Sequence, residues 1–380
     1  MGIHVHWYLP TNGDSRDIVG AGDRSQESAL TDFRAPTVDY LGQIARSAEQ
    51  LGYEAVLTPT GTWCEDAWIS TAALSQVTKR LKFLVAFRPG FISPTLAAHQ
   101  AATFQRVSGG RLLLNVVTGG DSAEQRRYGD HLGHDQRYRR TEEFLAVLRG
   151  VSAAGSRQAP FSFSGEHYQI EAASIGFAPY ALPRIFFGGA SPAAERAAAR
   201  QADVYLAWGE TPAQIAERLT RMRELAAGAG RALAFGIRLH VLGRDTSTAA
   251  WAEANRLLDR ISPERIRQAQ QVLAGTESVG QQRMVALHSA SRYDGDRSRL
   301  EVSPNLWAGY GLVRGGAGTA LVGSHAEVAD RIEEYHALGI DHFILSGQPH
   351  LEEAYYFAEG AAAELRKRGL MPAPAAVQGS

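Results

Sequence analysis

The stretch Phe235-Gly-Ile-Arg-Leu-His-Val241 alternates four apolar residues with Gly236, Arg238 and His240. This two-residue period is that of a β-strand, so Arg238 and His240 lie on the same face. Burying a guanidinium and an imidazole costs several kcal/mol unless other groups pair with them. The two side chains therefore form either a structural bridge with a satisfied core histidine or part of a pocket that receives an anion.

The composition is that of an ordinary globular protein. The 380 residues are 44% hydrophobic and 21% charged, with a formal net charge of −1. No basic run indicates a nucleic-acid partner or an anionic membrane surface. No apolar run reaches the roughly 18 residues of a spanning helix, and the N-terminus lacks the features of a signal peptide. Cys64 is the single cysteine in the sequence, which excludes an internal disulfide. We expect a cytoplasmic protein.

Short apolar runs that predict strands alternate with amphipathic runs that predict helices. The predicted strands are His4–Leu9, Glu54–Leu57, Lys82–Phe87, Arg111–Val116, Arg184–Phe187, Asp203–Ala207, Ala234–Val241 and Asp341–Leu345. The predicted helices are Thr37–Leu51, Thr95–Val107, Thr141–Leu148, Ala193–Ala202, Pro212–Ala227 and Ala326–Leu338. Eight strands with intervening helices are the count for an α/β protein of the (β/α)8 TIM-barrel class, and a doubly wound sheet is the alternative.

We predict one TIM-barrel domain over residues 1–370, with insertion segments at about 11–34, 152–179 and 244–313 and a disordered tail over 371–380. The second insertion contains Phe161–Ile170, which reads as a β-hairpin. The third begins with two helical stretches, Thr248–Arg260 and Pro263–Ala274.

Functional residues of a TIM barrel lie where the strands end at their carboxyl side. Unusual residues follow the predicted strands at this side. They are Thr60, Cys64, Arg88, Asn115, Thr118, Gly188, Gly189, Ser191, Trp208, Arg238, His240, Gly347 and Gln348. Their convergence on one rim favours the pocket interpretation for Arg238 and His240.

Two glycine-rich turns carry weaker signals. Phe186-Phe-Gly-Gly-Ala-Ser-Pro192 runs from strand to helix, so its backbone amides suit a phosphate, although a plain turn reads the same way. The second turn is Arg314-Gly-Gly-Ala-Gly-Thr319, which lacks the residues of a nucleotide-binding loop. Its glycines predict a hinge for a flexible lid that carries Arg314.

Metal binding is not predicted. His131 and His134 lack a third ligand. His4 and His6 resemble the first-strand pair of metal-dependent amidohydrolases, but the histidines that those enzymes need after strands five and six are missing. Cys64 has no histidine close in sequence and reads as a small buried hydrophobe, with a thiol that matters only beside an arginine or a flavin.

Longer sequence motifs, found between about His6 and Glu353, resemble those of a known protein family. They include Trp7-Tyr-Leu-Pro-Thr11, Cys64-Glu-Asp-Ala-Trp68, Asn115-Val-Val-Thr-Gly-Gly-Asp121, Gly236-Ile-Arg-Leu-His-Val241, Ser278-Val-Gly-Gln-Gln-Arg-Met284, Gly311-Leu-Val-Arg-Gly-Gly-Ala-Gly-Thr-Ala-Leu-Val-Gly323 and Pro349-His-Leu-Glu-Glu353. On these motifs the chain resembles the two-component, reduced-FMN-dependent alkanesulfonate monooxygenases of the bacterial luciferase-like superfamily.

The resemblance implies a homodimer or homotetramer that receives reduced FMN from a separate NAD(P)H-dependent FMN reductase. With O2, such an enzyme cleaves the C–S bond of a small organic anion, a sulfonate, to sulfite and an aldehyde. The residues carried over by motif are Cys64 near the oxygenated flavin, Arg238 and His240 at the sulfonate, Trp208 lining that site, Arg314 on the lid, and Asn115, Tyr138 and Ser191 at the flavin. We add Thr60, Thr118 and Gly189 to the predicted cofactor site from their places on the rim.

The chain departs from the family at two predicted substrate-binding positions. Gln348 stands where the family usually has a tyrosine, and Tyr310 stands where it usually has a small aliphatic residue. Our hypothesis is that Tyr310 moves a phenol into the same pocket or reshapes it, and the alternative is that both changes only tune packing. The substrate is then a short alkanesulfonate, a sulfonated sugar or other hydroxylated sulfonate, or a non-sulfonate. A flavin-binding protein without turnover is disfavoured, because flavin storage needs no anion site.

Overall fold

Eight parallel strands form a closed barrel in the computed structural model, which describes residues 2–18, 32–157, 159–177, 181–289 and 296–373. The predicted (β/α)8 TIM barrel is confirmed. Its strands are β1 (His4–Tyr8), β2 (Ala55–Thr58), β3 (Lys82–Phe87), β4 (Leu112–Val116), β7 (Ile185–Gly188), β8 (Val204–Trp208), β9 (Ala234–Arg244) and β13 (His342–Ser346). The ring closes because β1 pairs with both β2 and β13, and β9 pairs with both β13 and β8.

The register between strands sets which residues meet at the rim. Trp208 on β8 lies opposite Arg238 on β9, and Ser346 on β13 lies opposite His240. Parallel strands end at the same edge, so these four side chains belong to one end of the barrel.

Helices cover the outside of the barrel. They are α1 (Val38–Leu51), α2 (Ala67–Leu74), α3 (Pro94–Ser108), α4 (Ser122–Arg127), α5 (His134–Arg157), α6 (Pro192–Gln201), α7 (Pro212–Gly228), α8 (Ser247–Asp259), α9 (Pro263–Ala274), α10 (Val279–Ser289), α11 (His325–Leu338), α12 (His350–Glu359) and α13 (Ala361–Lys367). The six predicted barrel helices are confirmed. Thr37, Ser93 and Thr211 cap helix N-termini with their side chains, and the prolines at 94 and 212 occupy first turns, where no N–H is needed. Helix α2 was not predicted, because its apolar residues surround it rather than form a stripe.

The insertions add structure around the rim. The predicted hairpin is confirmed as β5 (Phe161–Ser164) and β6 (Gln169–Ala173). The third insertion begins with the two predicted helices and continues into α10. It then forms two short strands, β10 (Glu301–Ser303) and β11 (Leu306–Trp307), which lead into β12 (Ala320–Ser324). Residues 19–31 of the first insertion and 290–295 of the third lie outside the described residues.

Strand β9 is longer than predicted, because an unpredicted strand supports its end. Residues Ala320–Ser324 of β12 pair in parallel with His240–Arg244. The backbone of His240 is therefore held between β12 and β13, whereas that of Arg238 is held between β8 and β13. Met371, the first residue of the predicted tail, is buried against the core, and residues 374–380 lie outside the described part of the chain.

Apolar side chains fill the inside of the barrel below the rim. They are Tyr8, Ala55, Leu57, Leu84, Leu113, Phe186, Val204 and Ile344. Tyr8 ends strand β1, so its ring forms the layer of this core that is nearest to the carboxyl rim.

Two buried histidines lie deeper in the barrel. The Nε2 atom of His6 is 3.0 Å from Nδ1 of His342, and Phe186 packs edge-on against both rings. Burial lowers the pKa of His6 to about 4 and that of His342 to about 2. Both imidazoles are therefore neutral at pH 7.

Replacing His342 with phenylalanine should make the free energy of unfolding fall less steeply as the pH drops below 7.5. An imidazole with a lowered folded-state pKa takes up its proton mainly in the unfolded chain, so stability falls as pH drops below the unfolded value of about 6.5. Between pH 7.5 and 5 the His342 contribution is about 2 kcal/mol. We expect urea unfolding of the variant to lose about that much less than the wild type over this range. His131→Phe, at an exposed position, is the control, and equal pH slopes for wild type and His342→Phe would contradict the assignment.

Candidate functional site

A cavity opens at the carboxyl rim of the barrel and encloses about 980 Å³ of empty space, its open mouth included. Three glycine-containing segments, residues 118–120, 188–191 and 278–280, form much of its wall. It brings together seven of the predicted site residues: Asn115, Thr118, Tyr138, Gly189, Ser191, Trp208 and Arg238.

The turn before α6 forms one end of the cavity. The Ser191 hydroxyl accepts a hydrogen bond from the Ala194 amide at 3.2 Å and caps the helix. Gly189 has a φ of +151°, and a Cβ there would lie 2.5 Å from the Cβ of Ala194 and 3.3 Å from the Tyr138 hydroxyl. Tyr138 is buried, and burial raises its pKa. Helix N-terminal amides beside a serine and a tyrosine hydroxyl suit a phosphate group.

The start of α10 closes over the other side. A Cβ on Gly280 would lie 3.2 Å from the Trp208 ring, and one on Gly120 would lie 2.8 Å from the Ser278 Cβ. The third insertion therefore contacts both the end of β8 and the loop after β4. Thr118, in that loop, shares a hydrogen bond of 3.1 Å with Thr141, so its hydroxyl is fixed.

Two buried arginines flank one tyrosine. The Arg238 Cζ atom lies 5.0 Å from the centre of the Tyr8 ring, and the Arg314 Cζ atom lies 5.6 Å from the same centre. Arg238 is 8% exposed and Arg314 is 6% exposed. The floor of the rim thus holds two positive charges over an aromatic face, a stabilising arrangement for each cation.

Neither Arg238 nor Arg314 forms an ion pair with a carboxylate of the described residues. Arg238 donates hydrogen bonds to the Leu239 carbonyl at 2.5 Å and to the Ser346 hydroxyl at 2.7 Å. Burial, with Arg314 next in importance, lowers the pKa of Arg238 to about 9. The guanidinium is still charged at neutral pH, and an incoming anion would relieve its desolvation and the repulsion between the two arginines.

His240 lies behind Arg238 and has both ring nitrogens engaged. Its Nδ1 lies 2.7 Å from the Ser346 hydroxyl, and its Nε2 lies 3.1 Å from the Ala317 carbonyl. A carbonyl only accepts, so Nε2 carries the proton and Nδ1 accepts from Ser346. Burial places the pKa of His240 well below its ordinary value, so the ring is neutral. These contacts favour a role in orienting Ser346 and Arg238 over direct contact with a substrate.

The two positions that depart from the family are both fully buried. The Tyr310 ring stacks on His240 with centres 3.8 Å apart, and burial raises its pKa. Gln348 follows β13. Within the described residues, neither the Tyr310 hydroxyl nor the Gln348 amide has a hydrogen-bond partner. The stacking favours a supporting role for Tyr310, and its part in proton transfer stays a hypothesis.

Cys64 is half-buried, and its thiol lies 3.6 Å from the Gly61 carbonyl. Burial raises the pKa of Cys64 to about 11, so the group is a thiol rather than a thiolate at neutral pH. This argues against covalent chemistry. Thr60 is also half-buried, just after β2, and is not part of the wall of the cavity described above.

Several residues of the site were not predicted from the sequence. Tyr8 and Ser346 end β1 and β13, so the rim rule that selected the other residues could have found them. Glu210 is buried and accepts hydrogen bonds of 2.5 Å from both Arg218 and Arg283, which ties α10 to the barrel. That contact has no sequence signal, because the partners are separated along the chain.

The described residues lack two features. They contain no group of three or more histidine, cysteine, aspartate or glutamate side chains that could hold a metal ion. They also contain no helix with the length and apolar character needed to cross a membrane.

Comparison with known proteins agrees with the fold. The family model for luciferase-like monooxygenases matches residues 4–342. A riboflavin lyase crystallised with a modified FMN and riboflavin aligns with a TM-score of 0.78 at 20% identity, covering 98% of this chain and 93% of the other. The EDTA monooxygenase from Chelativorans sp. BNC1 aligns with a TM-score of 0.74 at 19% identity, covering 98% and 95%. DmoA from Hyphomicrobium sulfonivorans aligns with a TM-score of 0.75 at 21% identity, covering 98% and 90%.

Proposed function

Since this chain belongs to the luciferase-like monooxygenase family, we propose that it is a flavin-dependent monooxygenase acting on an organosulfonate. It uses reduced FMN and O2 to cleave the C–S bond and releases sulfite and an aldehyde. The observation that carries the proposal is the pair of buried arginines, Arg238 and Arg314, which have no carboxylate partner among the described residues. Both lie over the Tyr8 ring, and Arg238 also lines the cavity.

The residues of the cavity fit FMN. The turn at Gly189 and Ser191 approaches closely enough that a Cβ would intrude, so backbone amides can reach a phosphate there. The Asn115 carboxamide at the end of β4 supplies both a donor and an acceptor for the polar edge of a flavin ring. Tyr138 would hold the phosphate end, and Trp208 would pack beside the ring. The riboflavin lyase, which has a similar fold, contains a modified FMN.

Arginine is suited to a sulfonate for a geometric reason. A sulfonate is ionised at every physiological pH and presents three acceptor oxygens, and a planar guanidinium can donate to two of them at once. In a low-dielectric site the two fixed charges of Arg238 and Arg314 replace the water that the anion loses. Ser346 and His240 hold Arg238 in place, so little reorganisation is needed when the anion binds.

The overall reaction is RCH2SO3⁻ + O2 + FMNH2 → RCHO + HSO3⁻ + FMN + H2O. Bound reduced FMN supplies the two electrons that activate oxygen. The chain's own residues bind the sulfonate, exclude water and hold protons. The start of α10, held over the cavity by Glu210 and Arg283, restricts the access of water.

The remaining partners follow from the proposed chemistry. Reduced FMN is oxidised by air in solution, so a separate NAD(P)H-dependent FMN reductase would supply it. We also propose a homodimer or homotetramer located in the cytoplasm. Co-elution of the purified chain with a reductase, and its mass in solution, would test these points.

A coupled assay tests the proposed function. Purified protein is combined with a flavin reductase, FMN, NADH and a panel of sulfonates that includes short alkyl chains and hydroxylated sulfonates. We expect one equivalent of sulfite and one of aldehyde for each O2 that is consumed in oxygenating the sulfonate. Oxygenation of a non-sulfonate without sulfite release would instead favour the second candidate, a luciferase-like monooxygenase of a specialised pathway. Flavin binding with no product from any compound would favour a binding protein without turnover.

Replacing Gly189 with alanine should weaken flavin binding. The added methyl group would lie 2.5 Å from the Cβ of Ala194, so the turn must open away from the helix N-terminus. We expect the dissociation constant for reduced FMN, measured by anaerobic fluorescence titration, to rise about tenfold, which corresponds to about 1.4 kcal/mol. Gly228→Ala, at a position with open space around it, is the control. Unchanged affinity in Gly189→Ala would contradict a phosphate site at this turn.

A further inference from the structure

We propose that His350, oriented by Asp14, is a further catalytic residue whose Nε2 atom accepts a proton from the carbon that carries the sulfonate. This inference rests on the proposed sulfonate oxygenation. It assigns the proton transfer to a histidine on α12 and leaves His240 the task of positioning.

Asp14 and His350 form a fully buried pair across the first loop. Asp14 Oδ1 lies 2.8 Å from Nδ1 of His350, and Asp14 Oδ2 accepts the His350 backbone amide at 2.8 Å. The Tyr40 hydroxyl donates to the same Oδ2 at 2.5 Å. Asp14 is 0% exposed and His350 is 1% exposed. The Ser15 backbone amide also donates to Oδ1 at 2.9 Å, so four donors hold the carboxylate in a fixed position, and the carboxylate fixes the imidazole.

The pairing determines which nitrogen of His350 is available. A carboxylate only accepts hydrogen bonds, so Nδ1 carries the proton in the neutral ring and Nε2 presents a lone pair. Within the described residues Nε2 has no hydrogen-bond partner although the ring is buried. An oriented imidazole with a bare nitrogen is the arrangement of a general base supported by a carboxylate.

Position connects this base to the anion site. The His350 ring lies 5.4 Å from the centre of the Tyr8 ring, the same ring that Arg238 and Arg314 flank. In this proposal a sulfonate held by the two guanidinium groups presents its adjacent carbon toward the start of α12. His240 cannot serve equally well, because both of its nitrogens are already engaged by Ser346 and Ala317.

The proton transfer balances within the overall reaction. The carbon enters as CH2 and leaves as CHO, so one C–H bond breaks. Its proton goes to Nε2, and its electron pair enters the new carbon–oxygen double bond. The C–S electron pair leaves with sulfite, and the oxygen atom comes from O2 with two electrons from reduced FMN. The imidazolium that forms faces Asp14, which stabilises it.

The first test is the rate of sulfite release by His350→Gln. We expect it to fall about 100-fold, at the low end of the range for loss of a general base. Anaerobic binding of FMN and of the sulfonate should stay within about threefold of wild type. Imidazole added to His350→Gly should restore part of the rate. With substrate deuterated at the carbon beside sulfur, His350→Gln should show a larger isotope effect than wild type, which a purely structural defect would not produce. His336→Gln, on the outer helix α11, is the matched control and should keep wild-type rates.

The orientation of the base has its own readout. Nitrogen-15 spectra of histidine-labelled protein should show one imidazole in the Nδ1–H form that disappears in His350→Gln, and that changes to the Nε2–H form in Asp14→Asn. Full activity of His350→Gln in an enzyme whose wild type releases sulfite, or a proton on Nε2 of the wild-type ring, would overturn the inference. Absence of sulfite from the wild type would instead overturn the proposed function, and this assignment with it.

Discussion

Replacing Arg238 with methionine is expected to lower kcat/KM for sulfite release by about 10³-fold, the effect of removing one partner from a desolvated charge pair worth about 4 kcal/mol. The guanidinium is buried, fixed by Ser346 and the Leu239 carbonyl, and flanked by Arg314 across the Tyr8 ring. Methionine keeps much of the volume and removes the charge. The sulfonate then meets one cation where it had two, in a site that has little water to replace the other.

The same variant should fold normally. Arg238 carries a desolvation cost and repulsion from Arg314, which together lower its pKa to about 9, and both disappear with the charge. We expect the free energy of unfolding to stay within about 1 kcal/mol of wild type. Arg238→Lys should recover only part of the activity, because an ammonium cannot donate in the bidentate manner of a guanidinium.

Arg111→Met is the matched control for the loss of a buried arginine. Arg111 lies at the other end of the barrel and donates hydrogen bonds to the Ser75, Leu81 and Ser108 carbonyls and to the Thr78 hydroxyl. Its removal leaves buried acceptors without donors, so we expect lower stability and unchanged kcat/KM. If Arg238→Met lost stability and Arg111→Met lost activity, the assignment of the anion site would be wrong.

The position of Arg238 and His240 on one face could be predicted, because a two-residue period leaves no other choice once the strand is identified. Their neighbours could not. That Trp208 lies opposite Arg238, and Ser346 opposite His240, depends on the register between strands, and each strand alone allows several registers. The role of His240 changed for this reason. The family resemblance placed His240 at the sulfonate, and its contacts with Ser346 and Ala317 favour a positioning residue.

Contacts between distant charged residues were also beyond the sequence. Asp14 and His350 are 336 positions apart, and nothing in either local stretch indicates the other. The strand β12 was missed because its partner within the barrel is an extension of β9 that the apolar pattern did not reveal. The barrel itself was predictable because its strands are continuous apolar runs, buried on both sides as parallel strands are.

Replacing Glu210 with alanine is expected to cost about 3–5 kcal/mol of stability and to weaken flavin binding, because the change leaves a buried arginine without its partner. Glu210 and Arg218 are 1% and 3% exposed at their side chains, with Nη2 and Oε1 2.5 Å apart. The second partner, Arg283, reaches Glu210 from α10 with an Nη2–Oε2 distance of 2.5 Å. Urea unfolding measures the first effect, and anaerobic FMN titration measures the second.

Stability and flavin binding should both fall, because Glu210 contacts arginines on two different helices. Oε1 accepts from Arg218 on α7 and from Nε of Arg283, and Oε2 accepts from Nη2 of Arg283. One carboxylate therefore joins α7 to the helix whose first residues cover the cavity. Glu210→Ala should therefore speed proteolysis at the start of α10 in the native state, as expected when a segment loses its anchor. Glu264→Gln, which breaks an exposed pair with Arg267 on α9, is the control and should leave the stability close to that of the wild type.

A double variant separates the buried charge from the anchor. Glu210→Leu/Arg218→Leu removes both members of the buried pair, so most of the lost stability should return, as it does when a whole buried pair is replaced by apolar residues. Arg283 is still released, so α10 should remain sensitive to protease and flavin binding should remain weak. Recovery of flavin affinity in the double variant would mean that α10 does not depend on Glu210, and that the cover of the cavity is held by its packing on Trp208 alone.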